Sequence, residues 1–131
     1  MARVVQKMTR LSAEHLKPWN LSVAQFDAIA QIGSTERLAQ QDLADRLLVT
    51  KGNVSQLVDR LEQRGIVGRC HEGRTQRLSL TAAGRQLYNE VVPAHERFIA
   101  RQFATLCPEE QQHLRRLLRH IDQQCAWRKE A

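Results

Sequence analysis

The sequence lacks long apolar runs, and it has little cysteine, proline or glycine. No stretch approaches the ~20 consecutive apolar residues that a transmembrane helix needs. The first 16 residues mix charged and apolar positions, unlike a signal peptide. The three cysteines show no paired spacing, which argues against a disulfide scaffold and for a reducing compartment. We therefore expect a cytoplasmic protein without a membrane span.

Aromatic residues make up only 5% of the chain, and runs typical of strands are few. Hydrophobic residues reach 42%, which suffices for a packed core and excludes a disordered chain. The sequence contains no phosphate loop, no nucleophile elbow and no metalloprotease motif. Its histidines also lack the close spacing of metal ligands. We predict a mainly helical protein that is not an enzyme and needs no cofactor or metal.

Positive charge is in excess and unevenly distributed. The net charge is +6 and the isoelectric point is near 9.9. Between Thr50 and Arg85 there are seven basic and three acidic side chains, a local excess of +4. A basic balance suggests an anionic partner such as nucleic acid or an acidic membrane surface.

Apolar spacing and capping residues predict the order of the elements. Ser22 and Gln25 form a capping-box pattern, while Thr50 and Thr81 are good N-cap residues. Pro93 is expected to kink or split the helix that contains it. The predicted elements are helices over 2–16, 22–32, 40–47 and 50–64, a tight turn at 48–49, strands over 66–70 and 76–80 joined by a turn at 71–74, and helices that start at Thr81 and Pro108.

A short helix, a tight turn, a second helix and a basic hairpin are together typical of a winged helix-turn-helix. The fold class predicted is therefore mainly α with a small β-hairpin, and residues 21–81 form the DNA-binding lobe. The terminal helices, in residues 1–20 and 82–131, are too long and too apolar to close around so small a lobe. We expect them to form the dimerisation region of a homodimer.

The helix that begins after Thr50 has a polar face once its apolar stripe is buried. Asn and Gln side chains can pair with adenine, and Lys or Arg with guanine, in the major groove. The first half of such a helix enters the groove, so Lys51, Asn53 and Gln56 are the leading candidates for base contacts. The other predicted DNA-binding residues of this helix are Ser55 for bases, Gly52 for close approach, Thr50 for a phosphate, and Arg60 on the same polar face.

The basic hairpin supplies a second set of candidate contacts. Arg74 follows Gly73 at the predicted tip and is the best candidate for a minor groove. Arg69 and Arg77 lie on the two legs, where phosphate contacts are expected. The sequence thus predicts a duplex-DNA interface made of one helix and one hairpin.

Several segments together resemble the MarR family of bacterial regulators. The resemblance is carried by Leu43–Ala44, Val49–Glu62, Gly65–Val67, Glu72–Arg74 and Leu80–Gly84, and more weakly by Leu106–Glu110. It implies a winged-helix homodimer that controls transcription, usually as a repressor, at a palindromic operator. It also places Arg74 at the wing arginine of such proteins.

The chain departs from the family pattern in its wing and its terminal helices. The wing from Gly65 to Arg74 is shorter than usual, and Glu72 stands where Asp is common. Cys107 replaces the usual Ser or Thr cap, and the first helix is short. The shorter wing bears on how deeply it inserts into the DNA groove. The short first helix bears on the N-terminal contacts of the dimer.

Signal sensing is the least defined property at this stage. Many MarR-family members release DNA on binding a small aromatic anion, and His15, Trp19 and Arg69 are our candidates for such a pocket. Alternatively, Trp19 is simply a core residue. Cys70 lies beside Arg69 and His71, which would favour its thiolate and make it a redox sensor, although a structural cysteine is the simpler interpretation.

The sequence therefore predicts a DNA-binding transcriptional repressor that is released by a small ligand. Two alternatives stay open. One is a cysteine-based redox regulator of the same fold. The other is a winged-helix module that binds protein and not DNA.

Overall fold

The computed structural model describes residues 1–47 and 49–125, and Leu48 of the predicted tight turn lies outside the described residues. The chain folds into six α-helices, a short 3₁₀ turn and three strands within that part. In order they are α1 (Ala2–Leu16), a 3₁₀ turn (Lys17–Trp19), α2 (Val23–Ser34), β1 (Leu38–Ala39), α3 (Gln40–Leu47), α4 (Lys51–Gln63), β2 (Val67–Glu72), β3 (Thr75–Leu80), α5 (Ala82–Gln102) and α6 (Pro108–Gln124). The predicted class, mainly helical with a winged helix-turn-helix, is confirmed.

The predicted helix starts are confirmed by hydrogen bonds at the caps. The Ser22 hydroxyl accepts from the Gln25 amide at 3.1 Å, and the Gln25 side chain accepts from the Ser22 amide at 3.0 Å. Thr50 Oγ1 accepts from the Asn53 amide at 3.2 Å. Each bond satisfies an amide that would otherwise lack a helical partner. The first residues of α2 and α4 are therefore fixed by local sequence.

The sheet is larger than the hairpin that the sequence predicted. β1 pairs antiparallel with β3, with Leu38 opposite Leu78, and gives the strand order β1-β3-β2. β2 also continues to Glu72, which pairs with Thr75. The predicted four-residue turn is thus wrong, because cross-strand pairing continues until only two residues remain to reverse the chain.

Pro93 does not split α5, which is one helix from Ala82 to Gln102. Its exposed position explains why the helix continues, since water can satisfy the carbonyl that loses its amide partner. The expected split is therefore wrong. α5 is a continuous connection between the sheet and the C-terminal part of the chain.

The core lies where α1, α2 and α5 pack on the helix-turn-helix and the sheet. Leu16 from α1 and Val91 from α5 are fully buried with residues of the lobe. The remaining large members of the core are Leu21, Phe26, Ile29, Ile32, Leu38, Leu43, Val54, Val58, Leu61, Ile66, Val67, Leu78 and Val92. One contiguous core therefore fixes α4 and the hairpin relative to each other.

α5 is joined to the base of the wing by a close contact. The Thr81 hydroxyl donates to the Gly65 carbonyl at 2.5 Å, and the Thr81 amide donates to the Ile66 carbonyl at 3.0 Å. A Cβ on Gly84 would overlap the same Ile66 carbonyl. Glycine is required here by the approach of the two backbones, and the junction has no room to slide.

The terminal helices leave apolar side chains in solvent. Val4, Val5 and Leu11 are exposed on α1, and α6 has no buried residue. Ile99, Leu117, Leu118 and Ile121 are the exposed large apolar residues of α5 and α6. In the described part of the chain, every helix is too short or too polar to cross a bilayer.

Candidate DNA interface

The first half of α4 presents a polar surface to solvent. Val54, Val58 and Leu61 are buried and fix the face that packs on the core. The opposite face carries the predicted contact residues: Lys51, Gly52, Asn53, Gln56 and Arg60 are exposed, and Ser55 is half-buried. The structure therefore brings the predicted residues of α4 onto one accessible face.

The N-terminus of α4 favours an anion. Thr50 has an extended backbone and caps the helix, and the first turn contains no acidic residue. The helix dipole adds partial positive charge at this end, beside the Lys51 ammonium. A Cβ on Gly52 would meet no atom within 4 Å, so the space there is open to a partner molecule.

The wing places one arginine at its tip. Gly73 has φ of +61°, a conformation that glycine adopts without strain, and it reverses the chain just before Arg74. Arg74 is exposed and forms no ion pair within residues 1–47 and 49–125. Its guanidinium is therefore available to an external anion.

Arg69 lies in a different environment from the one that the sequence suggested. Its Nη1 is 2.6 Å from Asp59 Oδ1 and 3.1 Å from Glu62 Oε1. Nε donates to Gln40 Oε1 at 3.3 Å, and only 16% of the side chain is exposed. Arg69 joins β2 to α4 and has few donors left for a phosphate or a ligand.

Arg77 is also held by a carboxylate, together with an arginine that the sequence did not indicate. Glu72 Oε1 is 2.6 Å from Arg37 Nη1, and Glu72 Oε2 is 3.6 Å from Arg77 Nε. Arg37 comes just before β1, whose pairing with β3 was not predicted. Glu72 thus forms a close ion pair with Arg37 and a longer one with Arg77, whose Nε has no hydrogen-bond partner among the described residues.

A polar groove of about 200 Å³ adjoins the start of α4. Three glutamines face it, and their amides can pair with base edges or phosphates. The lining residues are Gln40, Gln41, Lys51, Val54 and Gln76. The glutamines come from α3 and β3, so only the folded arrangement places them beside Lys51.

The predicted ligand residues are only partly brought together. The ring centroids of His15 and Trp19 are 5.5 Å apart. Arg69 lies apart from them, because its side chain on β2 is bonded to Asp59 of α4. The arginine beside Trp19 is Arg64, whose Nη2 donates to the Trp19 carbonyl at 3.3 Å. Arg64 and Lys17 also line an open pocket of about 450 Å³. The cations near Trp19 are therefore different from the predicted one.

Cys70 is exposed on β2, and its Sγ lies 3.9 Å from the His71 carbonyl oxygen. Successive residues of a strand point to opposite faces, so Arg69 is directed away from this thiol. Cys107 and Cys125 are also free and exposed. Among the described residues, no group of three or more His, Cys, Asp or Glu side chains could hold a metal ion.

Comparisons with known proteins agree with this arrangement. The family model described as MarR family matches residues 19–78. An uncharacterized HTH-type transcriptional regulator of Bacillus cereus is 32% identical over 114 residues, which cover 87% of this chain and 78% of the relative. The HTH-type transcriptional repressor MdtR of Bacillus subtilis is 29% identical over 108 residues, which cover 80% and 70% of the two chains.

The fold is also found among solved structures. The crystal structure of the S. aureus MepR-DNA complex has a TM-score of 0.84 at 19% identity, and the match covers 94% of this chain and 93% of that one. This match shows the fold, while the family model and the sequence relatives together show the family. From both, the chain belongs to the MarR family of helix-turn-helix transcriptional regulators.

Proposed function

We propose that the protein is a transcriptional repressor that binds a palindromic operator as a homodimer. The observation that carries the proposal is the exposed polar face in the first half of α4, flanked by Arg74 on the wing. In this arrangement Lys51, Asn53 and Gln56 contact bases in the major groove. Arg74 enters the neighbouring minor groove, where a narrow A·T-rich segment attracts a guanidinium.

One sequence relative and one structural neighbour support the DNA and repressor parts of the proposal. MdtR is named a transcriptional repressor, and MepR is seen in complex with DNA. The local charge agrees with them, since the segment from Thr50 to Arg85 carries an excess of +4. Such an excess favours the phosphate backbone at any sequence, and the side chains of α4 then provide selectivity.

The homodimer is supported by the exposed apolar surface of the terminal helices. A groove of about 360 Å³ between α5 and α6 is lined by Ile99, Phe103, Leu114 and Leu118. A second copy offers matching apolar residues on its own α1 and α6, and a two-fold axis then pairs equivalent helices. The two α4 helices would contact half-sites about 10 base pairs apart.

Release by a small ligand completes the proposal. A small aromatic carboxylate fits the open pocket near Trp19, because Lys17 and Arg64 provide two cations at its rim. We test this with aromatic carboxylates in a Trp127→Phe variant, so that Trp19 is the only fluorophore of its type. Neither quenching nor loss of operator binding would count against a ligand of this class.

Selection of bound sites from random duplex DNA is the decisive experiment. We expect a palindrome whose affinity falls steeply with salt, because several phosphates are neutralised. Asn53→Ala should cost about 1–3 kcal/mol and relax the preference at one position in each half-site. Gln63→Ala, at the far end of α4, is the matched control. Failure to select any sequence would favour a module that binds protein.

Repression is tested separately from binding. A reporter placed behind the selected palindrome should be silenced by the wild type and relieved by Asn53→Ala. Increased expression in the presence of the wild type would instead make the protein an activator.

A further inference from the structure

Five aromatic rings form a cluster where α1, α2 and α5 meet. His95 is 1% exposed and packs edge-on against Phe26, with centroids 4.5 Å apart. His15 is stacked on Phe98, with centroids 4.2 Å apart and planes 11° from parallel. Trp19 closes the outer side of the cluster, 5.5 Å from the His15 ring. None of these rings belongs to the DNA interface.

The two histidines of this cluster face each other through their Nδ1 atoms. The distance between His15 Nδ1 and His95 Nδ1 is 2.8 Å, which is a hydrogen bond only if one nitrogen carries the proton and the other accepts. Two neutral imidazoles of opposite tautomer satisfy this requirement. A doubly protonated pair would place two N–H groups and two positive charges against each other. A singly protonated pair can keep the hydrogen bond, because the imidazolium Nδ1–H donates to its neutral partner, so it is the second proton that must break the contact.

The surroundings oppose positive charge on the pair. Burial lowers the pKa of His15 below its ordinary value, and the Arg101 guanidinium on α5 lowers it further. Burial also lowers the pKa of His95, with His15 as the second cause. From α2 the pair meets the Phe26 ring, and Glu90 of α5 is engaged with Trp19 Nε1 at 3.2 Å.

The pair links the helix that precedes the lobe to the helix that leaves it. His15 lies one residue before the end of α1, and His95 lies in the middle of α5. Both helices continue into the apolar surface that we assign to the dimer. A change in their packing would therefore alter how the DNA-binding lobe is held on the dimerisation region.

We propose that His15 and His95 form a proton-sensitive latch that is closed when both imidazoles are uncharged and opens in mild acid, which weakens operator binding. The inference rests on the proposed function for its effect on DNA. The latch itself is a property of the folded chain, and it can be measured without DNA.

The sign of the pH effect follows from where the protons bind. A free histidine titrates near pH 6.5, and both latch histidines take up protons only at lower pH. Between these values the unfolded chain binds more protons than the folded one. The stabilising contribution is thus present above about pH 6.5 and is lost as the pH falls towards the folded pKa values.

Two other groups need controls of their own. His71 lies on the exposed part of β2, near the proposed DNA surface, and its removal tests whether an imidazole there contributes to the acid effect. Partial burial raises the pKa of Asp27 on α2, so its carboxyl also titrates above its ordinary range. His71→Gln and Asp27→Asn are therefore control backgrounds.

The first measurement follows the imidazole nitrogens by NMR during a pH titration of the intact protein. Signals are assigned with single variants of each histidine. We expect one latch histidine in the Nδ1–H tautomer and its partner in the Nε2–H tautomer, both uncharged at about pH 6.5, where a free histidine is half-protonated. Two latch histidines that are half-protonated at that pH would overturn the inference.

The second measurement compares operator affinity at about pH 7.5 and about pH 5.5. Because acid adds charge to the latch and loosens the packing of α1 on α5, we expect the wild-type affinity to fall several-fold between these pH values. His15→Gln should lower this ratio to about twofold, while His113→Gln on α6 should leave it unchanged. An equal acid effect in wild type and His15→Gln would overturn the link to DNA.

The two measurements keep this inference apart from the proposed function. Absence of any selective operator binding at about pH 7.5 would contradict the repressor proposal, whatever the histidines do. If circular dichroism shows that His15→Gln fails to fold, His15→Asn replaces it in the operator measurement. The wild-type NMR titration then tests the latch without any variant of His15.

Discussion

The DNA-binding lobe and the terminal helices use apolar residues in different ways. From α2 to β3, the large apolar side chains of the helices and strands meet within one chain, and Ile29, Leu43 and Leu61 are fully buried. α1 and α6 have equally regular apolar stripes, yet Val4 and Ile121 remain more than half exposed. The same pattern therefore completes a core in one region, and in the other it leaves apolar surface that we propose is covered by a second copy of the chain.

The largest expected effect would come from disrupting the apolar face of the terminal helices. Leu118→Glu places a charge on the exposed apolar face of α6 and should separate the proposed homodimer. Loss of the paired half-sites should weaken operator binding by about 100-fold or more. Sedimentation and operator titration measure the two effects.

Gln123→Glu provides the same added charge on the polar part of α6, and it should remain dimeric. A Leu118→Glu protein that sediments as the wild type would remove this face from the proposed interface.

The junction between the two regions is tested by Gly84→Ala. The added Cβ would overlap the Ile66 carbonyl, so we expect a loss of about 1–3 kcal/mol in unfolding free energy. Gly52→Ala is the matched control because its Cβ meets nothing, and it should be neutral or slightly stabilising.

Urea denaturation measures both variants. Equal stabilities would mean that the junction is looser than described. Gly52→Ala should nevertheless weaken operator binding, since the open space beside it is where DNA is proposed to approach.

Within the lobe, Arg69 and Arg74 differ in their partners, since Arg69 is paired with carboxylates of α4 and Arg74 faces solvent. Arg69→Ala leaves Asp59 and Glu62 without their cation, and we expect a loss of about 1 kcal/mol in stability, because both carboxylates are partly exposed to solvent. Arg74→Ala should leave stability unchanged and weaken operator binding by about tenfold, with altered preference in the A·T-rich flanks.

Thermal unfolding and operator titration on both variants separate the two roles. If Arg69→Ala weakened operator binding with unchanged stability, the predicted phosphate contact of Arg69 would be supported.

The smallest effect is expected at Cys70. Cys70→Ser removes an exposed thiol whose nearest polar contact is the His71 carbonyl at 3.9 Å. We expect unchanged stability and operator affinity. Peroxide treatment that weakens DNA binding of the wild type but not of Cys70→Ser would support the redox alternative.

Local features of the molecule could be predicted from the sequence, because they depend on residues three or four positions apart. The Ser22 and Thr50 caps and the exposed face of α4 belong to this class. Features that depend on distant partners could not be predicted. Leu38 finds its partner Leu78 only when the sheet forms, and His15 meets His95 across 80 positions of sequence.

Arg69 shows why the site was harder to predict than the fold. Its sequence position on a basic hairpin is the same whether the side chain points to solvent or to a neighbouring helix. Only the packing of β2 on α4 places Asp59 and Glu62 within reach of it. The sequence indicates which residues are charged, and the packing decides which of them remain available to DNA.

The contact of Thr81 and Gly84 with the base of the wing couples the tilt of α5 to the position of the wing. The helix has 21 residues, which corresponds to a length of about 32 Å. Because its first turn is fixed to the Gly65 and Ile66 carbonyls, the wing must follow any change in its tilt. A rotation of about 5° about the distant end of such a helix moves its start by about 3 Å. That displacement is enough to take Arg74 and α4 out of register with an operator half-site.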